Sequence, residues 1–210
     1  MNYNKIKGLY AIVDASFPDP VKIAGELMEG GAQIIQLRAK DLPAGKFLRL
    51  GREIMAETRK HGALFIINDR TDVAVLTGAD GVHLGQDDMP IEEARKIMGE
   101  DKLIGISTHN KAEGLAAVKA GADYIGFGPI FKTGTKKDAG VAKGIEGLKA
   151  LRREISIPII GIGGVNKGNI KSVFDAGADA AAVISALAEA SDIRLATCDI
   201  INVIGEANEC

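Results

Sequence analysis

The sequence has no tryptophan, and aromatic residues make up only 4% of its 210 residues. Aliphatic side chains and alanine must therefore fill the core of any folded domain. A strong excess of one charge is also missing, because 26 basic and 28 acidic residues leave a formal net charge of -2. This balance argues against a nucleic acid or an anionic membrane as the partner and favours small-molecule ligands.

Cysteines and long apolar segments are scarce as well. The two cysteines, Cys198 and Cys210, stand near one end of the sequence and make no disulfide framework, which fits a reducing, cytoplasmic compartment. No apolar run reaches the roughly 18 residues of a transmembrane helix, and the first residues lack the apolar segment of a signal peptide. We therefore expect a soluble, cytoplasmic protein.

Short apolar runs alternate with amphipathic stretches along the whole chain. Eight runs are predicted to be strands, namely Gly8–Val13, Ile34–Arg38, Leu64–Asn68, Gly81–Leu84, Leu103–Ser107, Tyr124–Gly128, Pro158–Gly161 and Ala180–Ile184. Apolar residues at helical spacing, Ile97 and Leu115 among them, mark the intervening helices, and a last helix is predicted over Ile193–Ile204. Eight strands that each precede a helix predict parallel pairing and a single (β/α)8 TIM barrel domain over residues 1–210.

A short repeat supports this architecture. Gly31-Ala32 precedes the second strand, and Gly-Ala-Asp precedes the fourth, sixth and eighth strands at Gly78–Asp80, Gly121–Asp123 and Gly177–Asp179. Glycine readily takes the left-handed conformation that ends a helix, and alanine lets the chain turn close to that helix. The repeat therefore spans two βα units, about a quarter of the barrel.

Polar side chains follow the second strand on one face. Alternation places Gln36, Arg38 and Lys40 on the side of the barrel interior, whereas Leu37 and Ala39 face the helices. Buried cations need partners. We expect an anionic ligand, or alternatively an internal ion pair with an acid on a neighbouring strand.

Carboxylates follow the next two strands. Asp69 ends the third strand, and Asp87 and Asp88 follow the fourth. Neighbouring strand ends meet at the active face of a barrel, where like charges need a compensating cation. We interpret Asp69 and Asp88 as ligands of Mg²⁺, which takes one or two carboxylates beside phosphate oxygens. Asp87 is interpreted as a helix cap.

Glycine-bearing segments follow the later strands. The long, basic loop Pro129–Gly140 is either a lid that grips phosphates or a solvated turn. Gly161–Gly164 ends the seventh strand and Val183–Ser185 the eighth, where barrels commonly bind phosphate. Of two histidines near strand ends, His83 is expected to point into the barrel, and His109 to serve either as an acid–base group or a structural one.

As an ordered set, these segments resemble the thiamine-phosphate synthase (thiamine-phosphate pyrophosphorylase) family over almost the whole chain. The matching segments are Leu9–Asp14, Gln36–Lys40, Ile67–Arg70, Gly81–Asp88, Ile104–His109, Gly126–Phe131, Thr133–Lys136, Gly161–Gly164 and Val183–Ser185. The resemblance implies a (β/α)8 barrel. It also implies a transferase that joins a pyrimidine diphosphate to a thiazole phosphate, yielding thiamine phosphate and diphosphate.

The resemblance further implies roles for single residues. Mg²⁺ would be held by Asp69 and Asp88. The pyrimidine diphosphate would be bound by Gln36, Arg38, Lys40, Asn68, Ser107 and Lys136, of which Arg38, Lys40, Ser107 and Lys136 are the expected catalytic residues. The thiazole phosphate would be bound by Thr133, Thr135, Gly164, Ile184 and Ser185. Lys132 stands where the family commonly has proline, which puts the kinetics of the loop in doubt more than the reaction type.

Two other functions fit the same barrel. A thiazole tautomerase would use His109 to move a proton, but it does not need the full metal and diphosphate set. A non-catalytic thiamine-phosphate-binding protein is disfavoured because every position expected to act carries a suitable residue. The sequence does not specify an oligomeric state.

Overall fold

The computed structural model describes residues 6–134 and 140–205 of the chain. Eight parallel strands form a closed barrel in which each strand pairs with the next and β8 pairs with β1. The strands are β1 Gly8–Asp14, β2 Ile34–Arg38, β3 Leu64–Asn68, β4 Gly81–Leu84, β5 Leu103–Thr108, β6 Tyr124–Phe127, β7 Ile159–Ile162 and β8 Ala180–Val183. The predicted (β/α)8 fold is confirmed. The bounds of β2, β3 and β4 agree with the prediction, and the others differ by one residue at one or both ends.

Helices follow the strands and cover the outside of the barrel. They are α1 Pro20–Glu29, α2 Ala44–His61, α3 Thr71–Thr77, α4 Ile91–Met98, α5 Lys111–Lys119, α6 Gly144–Arg152, α7 Ile170–Asp175, α8 Ser185–Ala188 and α9 Ile193–Ile204. The prediction that Asp87 caps a helix was wrong, because α4 begins at Ile91 with Pro90 in the capping position. The fixed φ of proline prepares the first helical turn there without a side-chain cap.

The core has two layers because successive residues of a strand face opposite sides of the sheet. Leu37 and Ala39 belong to the outer layer between strands and helices, as predicted. Ile97 and Leu115, which mark two of the predicted helices, are 49% and 42% exposed. In α4 the buried positions are Ile91, Ala94 and Met98, and this stripe leaves Ile97 to one side. The inner layer fills the barrel with Ile6, Tyr10, Ile12, Ile34, Ile66, Tyr124, Ile160, Ala180 and Ala182.

The Gly-Ala-Asp repeat joins the amino ends of neighbouring strands. Its glycines all have positive φ, as predicted. The aspartates have a role that the sequence did not reveal. Asp80 accepts a hydrogen bond from the backbone N–H of Phe65 at 2.9 Å, and Asp123 and Asp179 do the same for Ile104 at 2.7 Å and Ile159 at 2.8 Å. These bonds stabilise the end of the barrel opposite to the predicted site.

Within the described ranges, none of the helices is both long and apolar enough to cross a membrane.

Candidate active site at the carboxyl ends of the strands

A cavity of about 310 Å³ opens at the carboxyl ends of the strands. The predicted site residues that line it are Arg38, Lys40, Asn68, Asp69, Asp88, Ser107, Thr133, Gly164, Ile184 and Ser185. Gln36 lines a smaller, deeper cavity that shares Arg38, Asn68 and Ser107 with the larger one. Thr135 and Lys136 lie outside the described residues. The fold thus brings together every predicted site residue whose position is described.

Arg38 forms an ion pair with Asp14, the residue beside it on β1. Burial raises the pKa of Asp14, but hydrogen bonds from Ser16 and the neighbouring Arg38 outweigh burial and lower that pKa overall. The Asp14 carboxylate is therefore charged at neutral pH. This is the internal ion pair that the sequence left open as an alternative, and the sequence did not single out Asp14 for it.

The ion pair does not satisfy the whole guanidinium group. Arg38 Nε is buried and has no hydrogen-bond partner among residues 6–134 and 140–205. A buried donor without a partner is costly, and such a group in a cavity is commonly completed by a ligand. Arg38 can therefore be oriented by Asp14 and still donate to an anion in the cavity.

Asp69 and Asp88 lie within hydrogen-bonding reach of each other. Burial, together with the hydrogen bond and charge of Asp88, raises the pKa of Asp69 to about 6, whereas Lys40 and Arg38 oppose this shift. Asp88 Oδ2 also accepts the backbone N–H of Gly85 at 2.6 Å. Asp69 has a φ of 63°, a left-handed conformation that is uncommon outside glycine and often marks a functional position.

This pair fits the oxygen chemistry of a hard divalent cation. A cation held by the two carboxylates would offset the repulsion from Asp88 that contributes to the raised pKa of Asp69. In the part of the chain that the structure describes, no group of three or more His, Cys, Asp or Glu side chains could hold a metal ion. A cation bound here would keep positions for water and phosphate oxygens, which is the usual arrangement for Mg²⁺.

The cavity floor is made by side chains that point inward from β2, β4 and β5. Gln36 donates through Nε2 to the hydroxyl of Tyr10 at 2.8 Å, and Nε2 of His83 lies 3.0 Å from Ser107 Oγ. The predicted inward direction of His83 is confirmed. Gln86, which the sequence did not single out, donates to the backbone carbonyl of Ser107 at 2.6 Å.

The opposite part of the mouth is built from backbone. Gly163 and Gly164 have φ values of 96° and 68°. A Cβ atom on Gly163 would lie 2.5 Å from Pro129 Cβ, and one on Gly164 would lie 2.7 Å from the carbonyl oxygen of Lys132. The backbone N–H of Phe131 donates to the carbonyl of Gly163 at 2.9 Å. The loop after β6 therefore rests directly on these glycines.

His109 lies at the rim of the same cavity. Its Nδ1 and its backbone N–H approach Glu113 Oε2 at 2.9 and 2.8 Å, and its side chain is 47% exposed. Asn110 caps the same helix by accepting the backbone N–H of Glu113 at 3.0 Å. These contacts support the structural interpretation of His109, because they belong to the first turn of α5.

Comparison with known proteins adds the family. The sequence model for the family described as thiamine monophosphate synthase matches residues 9–187. The thiamine-phosphate synthase of Clostridium novyi is 46% identical over 198 residues, which are 93% of this chain and 97% of that protein. That of Pyrococcus abyssi is 44% identical over 206 residues, covering 98% and 99%. The structure of thiamine phosphate pyrophosphorylase from Pyrococcus furiosus superposes with a TM-score of 0.90 at 42% identity, covering 97% of this chain and 98% of that one.

Proposed function

The chain belongs to the thiamine monophosphate synthase family, and from that premise we propose how the cavity at its barrel mouth makes thiamine phosphate. The reaction condenses 4-amino-2-methyl-5-(diphosphooxymethyl)pyrimidine with 4-methyl-5-(2-phosphooxyethyl)thiazole, and diphosphate leaves. The observation that carries the proposal for the site is one cavity wall shared by two cations, Arg38 and Lys40, and two carboxylates, Asp69 and Asp88. Such a wall suits a leaving diphosphate together with a divalent cation.

The diphosphate is assigned to this charged wall. Arg38 and Lys40 supply positive charge, Asn68 supplies an amide, and the unpaired Arg38 Nε supplies a donor. Lys136, which lies outside the described residues, is proposed to join them. Asp69 and Asp88 would hold Mg²⁺, which when bound adds positive charge beside the phosphate oxygens.

The pyrimidine ring is assigned to the floor of the larger cavity, against the small deeper cavity of about 20 Å³. One part of its lining is apolar, with Ile12, Ile160 and Ala182, and the other part is polar, with Gln36 and Ser107. A flat heteroaromatic ring has apolar faces and hydrogen-bonding edges, so both parts of this lining find a counterpart on the ligand.

The thiazole phosphate is assigned to the ends of β7 and β8. Gly164, Ile184 and Ser185 line the cavity there together with Thr133 of the loop after β6. Thr135, outside the described residues, completes the proposed set. Loops after the last two strands are the usual phosphate site of this architecture.

The proposed reaction is a dissociative substitution. The bond between the pyrimidine CH₂ carbon and the diphosphate oxygen breaks first, and its electron pair leaves with the diphosphate. The aminopyrimidine stabilises the resulting cation, while Arg38 and Lys40 stabilise the charge that develops on the leaving group. The thiazole nitrogen, positioned through its phosphate, then donates its electron pair to the CH₂ carbon. No covalent bond to the protein is needed.

A turnover assay tests this function. The purified chain is incubated with both phosphorylated precursors and Mg²⁺, and thiamine phosphate and diphosphate are measured. The two products should form in equal amounts. Omitting the thiazole phosphate should abolish thiamine phosphate formation, and a chelator should stop the reaction until Mg²⁺ is restored. A chain that only isomerised a thiazole substrate, or that bound thiamine phosphate without forming it, would contradict the proposal.

Two further predictions remain parts of the proposal. A cytoplasmic location is proposed because both precursors carry phosphate charge, which a bilayer excludes. A single domain over residues 1–210 is proposed because β8 closes on β1, so the first and last strands share one barrel.

A further inference from the structure

A chain of hydrogen bonds crosses the barrel interior from Gln36 to Ser107, which are both proposed ligand-binding residues. Gln36 Nε2 donates to the Tyr10 hydroxyl at 2.8 Å, and the hydroxyls of Tyr10 and Tyr124 are 3.1 Å apart. The Tyr124 hydroxyl lies 3.3 Å from Nδ1 of His83, whose Nε2 lies 3.0 Å from Ser107 Oγ. Four polar contacts therefore connect Gln36 to Ser107 across β2, β1, β6, β4 and β5.

The amide at one end determines the direction of donation. Gln36 donates a hydrogen bond to Tyr10. The Tyr10 hydroxyl must therefore donate its own hydrogen bond to Tyr124, the only other partner of that hydroxyl among the residues described. The Tyr124 hydroxyl in turn donates a hydrogen bond to Nδ1 of His83. An imidazole that accepts at Nδ1 carries its proton on Nε2. Nε2–H consequently donates to Ser107 Oγ, and the Ser107 proton is left for the cavity that Ser107 lines.

The opposite direction is disfavoured by burial. If Ser107 donated to His83, then Nδ1–H would donate to Tyr124, and Tyr124 would donate to Tyr10. Tyr10 would then accept two hydrogen bonds, and its own proton would have no partner among the residues described. Tyr10 is 1% exposed, and a buried hydroxyl proton without a partner is costly. Burial also raises the pKa of both tyrosines, so each hydroxyl keeps the proton that it donates.

Two glycines leave space in the barrel for the side chains that form these hydrogen bonds. A Cβ atom on Gly105 would lie 2.1 Å from Cζ of Tyr124, and one on Gly126 would lie 3.1 Å from Cε1 of His83. The rings of His83 and Tyr124 stack with centroids 5.5 Å apart. Packing therefore holds both rings where their polar atoms meet.

We propose that His83 is a positioning residue that holds the Ser107 hydroxyl as a hydrogen-bond donor toward the pyrimidine substrate, with its tautomer selected by Tyr10 and Tyr124. The role in catalysis rests on the proposed function of the cavity. The tautomer itself is a property of the free protein.

Nitrogen NMR tests the tautomer without turnover. The sequence has three histidines, and the His83→Gln variant identifies the His83 signals in the ¹⁵N spectrum. The unmodified chain should show protonated Nε2 and unprotonated Nδ1. Tyr124→Phe removes the donor to Nδ1, and Tyr10→Phe removes the hydrogen bond that Tyr124 accepts, which leaves Tyr124 able to accept from Nδ1–H; both variants should therefore shift His83 toward a mixture of tautomers. Protonated Nδ1 in the unmodified chain, or no change in either variant, overturns the proposal.

Steady-state kinetics tests the connection to Ser107. His83→Ala should lower kcat about tenfold, the size expected for one hydrogen bond, and His83→Gln should recover part of that loss because its amide can also donate. In a Ser107→Ala background, adding His83→Ala should change kcat by less than about twofold, because the two residues act as one unit. Independent, multiplicative losses would show that His83 does not act through Ser107.

A matched control separates positioning from folding. Thr197→Val removes a buried hydroxyl of α9, which donates to the carbonyl of Ile193 at 2.7 Å, far from the cavity. It should lower the unfolding temperature without changing kcat or the His83 spectrum. An unmodified chain that formed no thiamine phosphate would overturn the proposed function, whereas the NMR result would still decide whether His83 has the expected tautomer.

Discussion

In the proposed function, the barrel mouth has two parts that bind anions by different means. The charged side, at the ends of β2 to β4, uses the side chains of Arg38, Lys40, Asp69 and Asp88, and the glycine side, at the ends of β7 and β8, uses backbone around Gly163 and Gly164. Side chains bring full charges that can stabilise a leaving group. The backbone brings only dipoles, but without side chains at the glycines a phosphate can approach its N–H groups closely. The comparison suggests that the charged side governs bond cleavage and the glycine side governs placement of the attacking substrate.

The largest expected effect concerns the carboxylates of the charged side. Asp69→Asn or Asp88→Asn should lower kcat by about a hundredfold or more, the size seen when a key electrostatic group is lost. Part of the activity should return at high Mg²⁺, because each variant keeps one carboxylate. The measurement is kcat against Mg²⁺ concentration. Asp87→Asn is the control, since Asp87 lines the same cavity but is not assigned to the metal. Full activity of the unmodified chain without any divalent ion would remove the metal assignment.

The next effect concerns the orientation of Arg38. Asp14→Asn keeps the shape of the side chain but removes the charge that pairs with the guanidinium group. We expect kcat/KM for the pyrimidine diphosphate to fall about tenfold, within the range for one charge-assisted hydrogen bond, while KM for the thiazole phosphate stays the same. Asp72→Asn removes the partner of an exposed arginine, Arg70, and serves as the control. Equal losses for both substrates would contradict the division of the mouth into two parts.

A substitution on the glycine side should change KM for the thiazole phosphate instead. Gly164→Ala places a methyl group 2.7 Å from the carbonyl oxygen of Lys132 at a residue with positive φ. We expect KM for the thiazole phosphate to rise several-fold, on the order of tenfold or less for about 1 kcal/mol of strain, with KM for the pyrimidine diphosphate unchanged. Gly25→Ala, in α1 with open space around it, is the control. A change confined to the pyrimidine diphosphate would reverse the assignment of the two sides.

The smallest expected effect is at the rim between the two sides. His109→Ala should retain most of the synthase activity, because His109 is held by Glu113 in the first turn of α5. The measurement is kcat for thiamine phosphate formation under saturating substrates. Complete loss of activity would instead favour proton transfer by His109 as an essential step.

The site residues were predictable to different degrees. Gln36, Arg38 and Lys40 follow from alternation along one strand, and Asp69 and Asp88 follow from the rule that strand ends meet at one face of a barrel. The predicted cap at Asp87 was wrong because it depended on a few local residues. Over so few residues, a short helix can begin several residues later than expected, or its apolar stripe can face a different direction.

Partners on distant strands were not predictable in this way. Asp14 meets Arg38 because β1 and β2 pair in one register, and a shift by one residue would turn either side chain to the other face. Tyr10 and Tyr124 are 114 residues apart and meet only because the barrel closes. The sequence contains both tyrosines but no local signal that connects them.

The sequence alone determined the number and order of strands, the faces of their side chains and the chemical types gathered at the mouth, because these depend on periodicity within each segment. Only the tertiary structure decided which polar atoms are paired, which Arg38 donor is left for a ligand and which nitrogen of His83 faces Ser107. Those choices depend on differences of a few tenths of an ångström in the distances between polar atoms of segments far apart in the chain, and these distances are set only once the barrel has closed.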